Sequence, residues 1–277
     1  MEQALKRIPS EPYPELRLVL ETFVAGIQDA VKANFVGAYL VGSLATGDFD
    51  RDSDIDFLVV TDEELTDEQV QSLQALHLEL HSLGCYPAQH LEGSYIPRVL
   101  LNRAEQVGAH PLWYIDNGSR VLERSLHDNK WHVRWIFRER AITLMGPDPK
   151  ALVEPVLPEA LLSEMLASVE KLRSDFVAEI GKPLGWFNTR FAQSFTVLTC
   201  CRMLYTLQNG AVKSKRTGVE WAERTIDTKW HKLIRQAWAE REGVRFGLKV
   251  RQLASTQRLQ ETARFIAYVQ TVLKLQR

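Results

Sequence analysis

Residues 42–56 read GSLATGDFDRDSDID, and this stretch ends in two aspartates where the apolar run 57–60 begins. Side chains of a β-strand alternate between its two faces, so Asp54 and Asp56 are expected to point the same way, about 6.5 Å apart along the strand. Ile55 would then point into the core. Two carboxylates at this spacing are able to share hard divalent cations.

The same stretch begins with a glycine and a serine that suit a phosphate. Gly42 lets the backbone approach a phosphate closely, and Ser43 offers a hydroxyl and an amide; amides at a turn or helix start attract anions. Magnesium binds one or two carboxylates together with substrate phosphate oxygens. The stretch therefore predicts a site for a triphosphate and magnesium, with two ions able to clamp the attacking and leaving oxygens.

A third carboxylate follows in residues 89–96, which alternate as a strand does. If this strand pairs beside the strand of Asp56, Glu92 lies roughly 5 to 10 Å from the metals and is placed to accept a proton from an attacking hydroxyl. Each feature alone has a plainer interpretation: an ordinary turn at Gly42, a solvated start of a strand at Asp54, an exposed strand residue at Glu92. The ordered set is much less expected by chance.

Composition narrows the class of protein. The 277 residues are 45% hydrophobic and 25% charged, with a net charge of −1 and scattered lysines and arginines, which argues against nonspecific binding of nucleic acid. Three cysteines, two of them adjacent, do not suggest a disulfide framework or a zinc site. No signal-like start and no apolar run of about 18 residues occurs, so we expect a soluble cytoplasmic protein with no membrane partner.

Periodicity divides the chain in two. The fold class predicted is α+β: a mixed sheet with flanking helices in residues 1–150, and an all-helical bundle in residues 151–277, with a boundary near 146–158. The N-terminal part is predicted to hold helices 16–35, 66–83 and 131–144, strands 36–41, 55–60 and 89–96, and a hairpin at 112–122. The C-terminal part is predicted to hold helices 158–180, 188–208, 218–224, 229–242 and 248–274, with breaks at 181–183, 209–210 and 242–243.

Residues 42–56, with SDID at 53–56, resemble the signature of the DNA polymerase β nucleotidyltransferase superfamily. Within it, the chain is similar to the aminoglycoside adenylyltransferases that act on streptomycin and spectinomycin. The likeness continues in HLEGSYIP at 90–97, VLTCCRMLY at 197–205, GAVKSK at 210–215 and VEWA at 219–222. It covers about residues 30 to 240.

The resemblance implies roles for the N-terminal residues. Asp54 and Asp56 would hold magnesium, with Glu92 as the third carboxylate of the metal site and as catalytic base. Gly42 and Ser43 would contact the triphosphate of ATP, the donor substrate. The implied fold is a nucleotidyltransferase domain followed by a helical domain, with the acceptor bound between the two.

The helical part carries two further candidates. Lys215 stands where the family places a lysine that reaches the nucleotide phosphates, although a solvated lysine remains an alternative. Trp186 stands where the family offers an indole and acidic side chains to a cationic aminoglycoside, but residues 185–193 read GWFNTRFAQ and contain no acid. A polycation is bound best by carboxylates, so this departure weakens the aminoglycoside assignment. Trp186, Trp113 and Tyr114 could each line a substrate or simply pack.

Three functions follow from these observations. The first is magnesium-dependent transfer of AMP from ATP to a hydroxyl of a small acceptor, with an aminoglycoside such as streptomycin or spectinomycin as the leading candidate. The second keeps the reaction and changes the acceptor to a protein or a tRNA. The third is a nucleotide-binding protein without turnover, which the complete set of carboxylates argues against. The sequence does not decide whether the donor is ATP or another nucleotide, and it does not give the oligomeric state.

Overall fold

The structure is a computed structural model that describes residues 8, 12–180, 182, 185–241 and 252–275. The chain divides into two compact units, Met1–Val156 and Leu157–Arg277. We propose that these units are the two domains expected from the sequence.

The first unit is built on a six-stranded sheet in the order β5-β4-β3-β2-β1-β6. Strands β2 and β3 run parallel, and the other neighbouring pairs of this described sheet are antiparallel. A parallel pair needs a crossover, and the helix Asp67–Ser82, α3, supplies it. The strands are β1 Phe35–Leu40, β2 Ile55–Thr61, β3 Leu91–Pro97, β4 Leu112–Ile115, β5 Leu122–Ser125 and β6 Ile142–Met145.

The helices of this unit bury their apolar faces against the sheet. Phe23 of α1 meets Phe57 of β2 edge to face, with ring centroids 4.7 Å apart, and Leu73 and Leu80 of α3 belong to the same core. A capping box between Thr66 and Gln69 starts α3. The helices are α1 Leu16–Val31, α2 Gly42–Thr46, α3 Asp67–Ser82, α4 Tyr86–Gln89, α5 Arg98–Leu101 and α6 Trp131–Arg140, with 3₁₀ turns at Lys32–Asn34, Ala104–Gln106 and Pro149–Ala151.

The predicted helix at 131–144 is wrong beyond Arg140. The chain there turns into β6, which pairs with β1 and places Ile142 and Leu144 in the core. An apolar residue at every second position is compatible with a strand and also with the end of a helix. Pairing with β1 makes this segment a strand.

Smaller corrections concern element ends. The first helix stops at Val31 rather than at residue 35, and the strand predicted at 89–96 begins at Leu91 because Gln89 closes the short helix α4. The hairpin has a longer turn than expected, since its second strand, β5, starts at Leu122 instead of ending there.

The second unit is helical, and its helices are α7 Pro158–Glu179, α8 Arg190–Asn209, α9 Lys215–Thr225, α10 His231–Arg241 and α11 Thr256–Lys274. Further 3₁₀ turns lie at Trp186–Asn188 and Thr228–Trp230. The mixed sheet with flanking helices and the helical C-terminal region confirm the predicted fold class.

Side-chain caps mark the starts of three helices of this unit, and the starts at Arg190 and Lys215 differ from the predicted 188 and 218. Thr189, Ser214 and Ser255 cap α8, α9 and α11, because their hydroxyls accept a backbone N–H of the first turn. The predicted helix start at 248 and the predicted break at 242–243 lie outside the described residues, as do residues 181 and 183 of another break. Among the described helices, none is both long and apolar enough to cross a membrane.

Candidate active site

The parallel pairing of β2 and β3 brings three carboxylates together. Asp56 of β2 is the direct partner of Glu92 of β3 in the ladder, and Asp54 precedes Asp56 by two positions on the same side. One ligand oxygen from each of the three carboxylates lies within 4.8 Å of the others. The arrangement is an all-oxygen donor set at the N-terminal ends of two central strands, and hard divalent cations prefer such a set.

The segment before β2 fits closely over this cluster. Gly42 has a φ of 57°, and a Cβ atom at this position would collide with the carboxylate of Asp56. The Val41 N–H donates to the Asp56 carbonyl at 2.9 Å, which ties the segment to β2. Glycine is therefore required here for two reasons, since its φ is left-handed and its Cα approaches a carboxylate. The turn predicted from the sequence is the short helix α2.

Ser43 contributes a hydroxyl without a protein partner. Within the described part of the chain, its Oγ is buried and makes no hydrogen bond. A buried hydroxyl costs free energy unless it is hydrogen-bonded, so this atom suits a ligand oxygen. A phosphate held beside the carboxylates would supply that oxygen.

The turn between β4 and β5 fixes Asp54 in place. The Asn117 amide donates through Nδ2 to Asp54 Oδ1 at 2.5 Å, and its Oδ1 lies 2.6 Å from His90 Nδ1. The His90 ring in turn stacks on Tyr86, with centroids 4.0 Å apart. Asp54 is thus held through a chain of contacts that starts in the hairpin and ends on α4.

Glu92 is surrounded by groups of the same hairpin. The Tyr114 hydroxyl lies 2.7 Å from Glu92 Oε1 and 3.0 Å from Asp116 Oδ1. His127 Nε2 lies 3.5 Å from the same Glu92 oxygen, and its ring stacks on Tyr114 at 5.0 Å. The Ser94 hydroxyl, on the same face of β3, donates to half-buried Asp128.

Negative charge concentrates around Glu92 and changes its acidity. Burial, followed by the charge of Asp54, raises the Glu92 pKa from 4.5 to about 7, while the hydrogen bond from Tyr114 acts in the opposite direction. Burial and the Glu92 charge also raise the Tyr114 pKa far above its usual value, so its hydroxyl stays protonated. A bound cation would be strongly favoured beside a carboxylate whose pKa is raised by burial and by a neighbouring carboxylate.

In the second unit, Trp186 belongs to an aromatic cluster. Its ring lies edge-on to Phe187, Phe191 and Phe195, with centroids 4.8, 6.3 and 6.1 Å away. Trp186 is 43% exposed and Phe195 is 40% exposed. The Lys215 ammonium lies over the Phe195 ring at 4.7 Å from its centroid, within the range of a cation–π contact.

This aromatic surface carries positive rather than negative charge. Residues 180–219 contain six lysines and arginines and no aspartate or glutamate. Glu240 of α10 contacts α8. Its carboxylate accepts a hydrogen bond from the Ser194 hydroxyl at 3.0 Å, pairs with Arg190 at 3.0 Å and lies 3.6 Å from Arg258. The acid that contacts α8 is therefore neutralised by its own neighbours.

The predicted site residues form two groups. Gly42, Ser43, Asp54, Asp56 and Glu92 cluster in the first unit, and Trp186 and Lys215 are neighbours through Phe195 in the second.

Sequence reasoning missed two contacts to this cluster. It treated Tyr114 as substrate wall or packing and gave no role to Asn117. The signal for Asn117 was its place in the turn of a hairpin predicted to extend the sheet. Tyr114 gave no comparable signal.

Known protein families and a solved structure resemble the chain. Residues 24–101 match the model of the nucleotidyltransferase domain, and residues 151–271 match that of the C-terminal domain of aminoglycoside adenylyltransferases. No curated protein sequence matches significantly. Among solved structures, the chain is similar to the spectinomycin adenyltransferase AAD(9) from Enterococcus faecialis, solved with ATP and spectinomycin. The TM-score is 0.68 at 17% identity, covering 93% of this chain and 98% of that one.

The fold and the two domain matches define the class: the chain is a nucleotidyltransferase enzyme. More particularly, it resembles the aminoglycoside adenylyltransferases in both of its parts, which confirms the resemblance inferred from the sequence.

Proposed function

We propose that this enzyme transfers AMP from ATP to a hydroxyl group of a small acceptor, with magnesium as the resident cation and an aminoglycoside as the leading acceptor. The observation that carries the proposal is the cluster of Asp54, Asp56 and Glu92, whose ligand oxygens lie within 4.8 Å of one another beneath Gly42. The similarity to an adenyltransferase solved with ATP and spectinomycin supports the choice of donor and acceptor.

Asp54, Asp56 and Glu92 would hold magnesium. When bound, the cation would neutralise charge that develops on the phosphoryl oxygens. The all-carboxylate donor set and the mutual repulsion within it fit such a cation.

The protein's own groups would act as follows. The Ser43 hydroxyl donates to a phosphate oxygen, and Glu92 accepts the proton of the acceptor hydroxyl. The acceptor oxygen forms a bond to the α-phosphorus of ATP as the bond from that phosphorus to the bridging α–β oxygen breaks. The electron pair of the broken bond leaves with pyrophosphate. In the metal-free protein, burial and the charge of Asp54 raise the pKa of Glu92 to about 7, which favours proton acceptance by this carboxylate.

In the second unit, we propose that Lys215 contacts the nucleotide phosphates and that Trp186 contacts the acceptor. The exposed indole offers a flat apolar face to a ring, and the ammonium beside it offers a positive charge. Because residues 180–219 contain no aspartate or glutamate, this surface suits a weakly cationic acceptor better than a strongly cationic one.

A screen for pyrophosphate release tests the proposal. Purified protein with ATP, Mg²⁺ and either spectinomycin or streptomycin is expected to release pyrophosphate, and Glu92→Gln is expected to stop release. Glu123→Gln is the matched control, because Glu123 lies on the exposed strand β5 of the same sheet. Release that survives in Glu92→Gln would contradict the role of the base. If neither antibiotic supports pyrophosphate release, the acceptor assignment is wrong, while the proposed reaction class is not contradicted.

One observation favours a second candidate acceptor, an RNA such as tRNA. Exposed aromatic rings beside lysine and arginine side chains stack bases and bind phosphates, and the aromatic cluster with Lys215 has this composition. Incubation with ATP labelled at the α-phosphate and total tRNA would label the RNA if it is the acceptor. If the mixture also contains an aminoglycoside, and the aminoglycoside becomes labelled while the RNA does not, RNA is excluded as the acceptor.

A further inference from the structure

We propose that Tyr114 is a positioning residue, whose hydroxyl fixes the Glu92 carboxylate so that Oε1 faces the hairpin and Oε2 faces the reacting groups. The inference rests on the proposed function of Glu92 and extends it to a residue that the signature motif does not include. Its basis is the geometry of β3 and β4.

The register of the sheet places Tyr114 where it reaches Glu92. Tyr114 of β4 is the direct partner of Ser94 of β3, and Glu92 lies two residues from Ser94 on the same face. A diagonal neighbour in an antiparallel pair is within reach of a long aromatic side chain. The tyrosine hydroxyl arrives 2.7 Å from Glu92 Oε1.

The tyrosine is itself held rigidly. Its side chain is buried, its ring stacks on His127 with an interplanar angle of 16°, and its hydroxyl also lies 3.0 Å from Asp116 Oδ1. A phenol has one hydrogen to donate, and the shorter distance is the one to Glu92. A donor fixed in this way restricts the rotation of the carboxylate it contacts.

The consequence concerns which oxygen of Glu92 does the chemistry. Oε1 is already contacted by Tyr114 and, at 3.5 Å, by His127. Oε2 is then the atom that accepts the proton from the acceptor hydroxyl and contributes to the metal site. Groups that orient a metal-binding carboxylate typically affect metal affinity or activity by about 10- to 100-fold when they are removed.

The variant Tyr114→Phe tests the inference, because it removes the hydroxyl and keeps the ring that stacks on His127. We expect kcat to fall about 10- to 100-fold at saturating Mg²⁺, with the KM for ATP changed less than about twofold. Trp113→Phe is the control, since Trp113 is the next residue on β4 and faces the other side of the sheet. An unchanged kcat in Tyr114→Phe would overturn the proposal.

A double-mutant cycle separates positioning from a general structural effect. If Tyr114 acts through Glu92, its replacement has little further effect in a Glu92→Gln background; if that variant has no measurable rate, Glu92→Asp replaces it. Equal losses from Tyr114→Phe in both backgrounds would overturn the proposal.

Cation binding gives a readout that does not depend on turnover. Calorimetric titration of the nucleotide-free protein with Mn²⁺ is expected to show binding at least tenfold weaker in Tyr114→Phe than in wild type or Trp113→Phe. Equal Mn²⁺ affinity in all three proteins would contradict the positioning role. If the wild type transferred no AMP to any acceptor, the proposed function would fail, and this titration would still decide the role of Tyr114.

Discussion

Asp56 and Glu92 are direct partners across the parallel strands β2 and β3. Neighbouring strands lie about 4.8 Å apart, so partners in a ladder present their side chains side by side on one face. The shared register, rather than a loop, therefore sets the distance between Asp56, the proposed metal ligand, and Glu92, the proposed base. A site built on two central strands of a sheet is held more precisely than one built on loops.

The fit of Gly42 over Asp56 predicts that Gly42→Ala is damaging. The new Cβ would collide with the Asp56 carboxylate, and φ is 57°. We expect a loss of stability on the order of 1–3 kcal/mol together with nearly complete loss of activity, measured by chemical denaturation and by pyrophosphate release.

Gly47→Ala is the matched control for that substitution. Gly47 also has a positive φ, of 83°, but a Cβ there would meet no atom within 4 Å. We expect a cost of about 1 kcal/mol and an active enzyme. Equal effects of the two substitutions on activity would show that backbone strain, and not the contact with Asp56, is responsible.

The bridge from Asn117 to Asp54 predicts weaker cation binding in Asn117→Ala. Without the amide donor, Asp54 loses the group that orients it, and Mn²⁺ affinity is expected to fall about tenfold or more by calorimetry. Ser119→Ala in the same turn removes a hydroxyl that contacts only Val121 among its described hydrogen bonds. The account of Asn117 is wrong if both variants bind Mn²⁺ as the wild type does.

The acidity of Glu92 predicts a pH-dependent stability for the metal-free protein. The folded protein holds the proton of Glu92 up to a pKa of about 7, whereas the unfolded chain releases it near 4.5. This contribution is present in full below pH 4.5 and is lost as the pH rises through 7. Relative to Glu92→Gln, the wild type in EDTA should lose roughly 2 to 3 kcal/mol of unfolding free energy between pH 4.5 and 8.

Added cation should cancel that loss. Magnesium binds the deprotonated carboxylate, so its affinity should rise with pH through about 7, and its stabilising effect should be largest at pH 8. Denaturation curves of the wild type and of Glu92→Gln, each with EDTA or with Mg²⁺, measure both effects. A difference between the two proteins that does not vary with pH would contradict the assignment of this pKa to Glu92.

The absence of aspartate and glutamate from residues 180–219 predicts the effect of adding an acid to the aromatic cluster. In Phe195→Asp, a carboxylate replaces the exposed ring next to Trp186 and Lys215. If Trp186 contacts the acceptor, the KM for a strongly cationic acceptor such as streptomycin should fall severalfold relative to wild type, while the KM for ATP changes less. Phe195→Asn, which adds polarity without charge, is the control. Similar KM values for the two variants would contradict this assignment.

Much of the fold and part of the candidate site could be predicted from the sequence. The spacing of Asp54 and Asp56 before an apolar run is a local pattern, and strand alternation also placed Glu92. The pattern predicts a helix through residue 144, because a strand as short as Ile142–Met145 directly after a helix carries too little periodicity to be recognised. Pairing with β1, about a hundred residues earlier in the chain, determines their structure.

The contacts of Tyr114 and Asn117 could not be predicted from the sequence for a similar physical reason. Their contacts to Glu92 and Asp54 depend on the register of β4 against β3 and on the length of the turn that follows. Neither quantity is encoded in a local periodicity. Residues 252–255, which the pattern places inside the last helix, precede α11 instead, because Ser255 is its N-terminal cap.

The measurement that tests the central claim most directly follows the label of ATP. Wild-type protein is incubated with Mg²⁺, spectinomycin and ATP labelled either at the α-phosphate or at the γ-phosphate, and the acceptor is then isolated. The account predicts that the α label alone enters the acceptor, that γ label appears in pyrophosphate, and that Glu92→Gln lowers the rate by about 10²- to 10⁴-fold. Transfer of the γ label, or α-label transfer at the wild-type rate in Glu92→Gln, would contradict it.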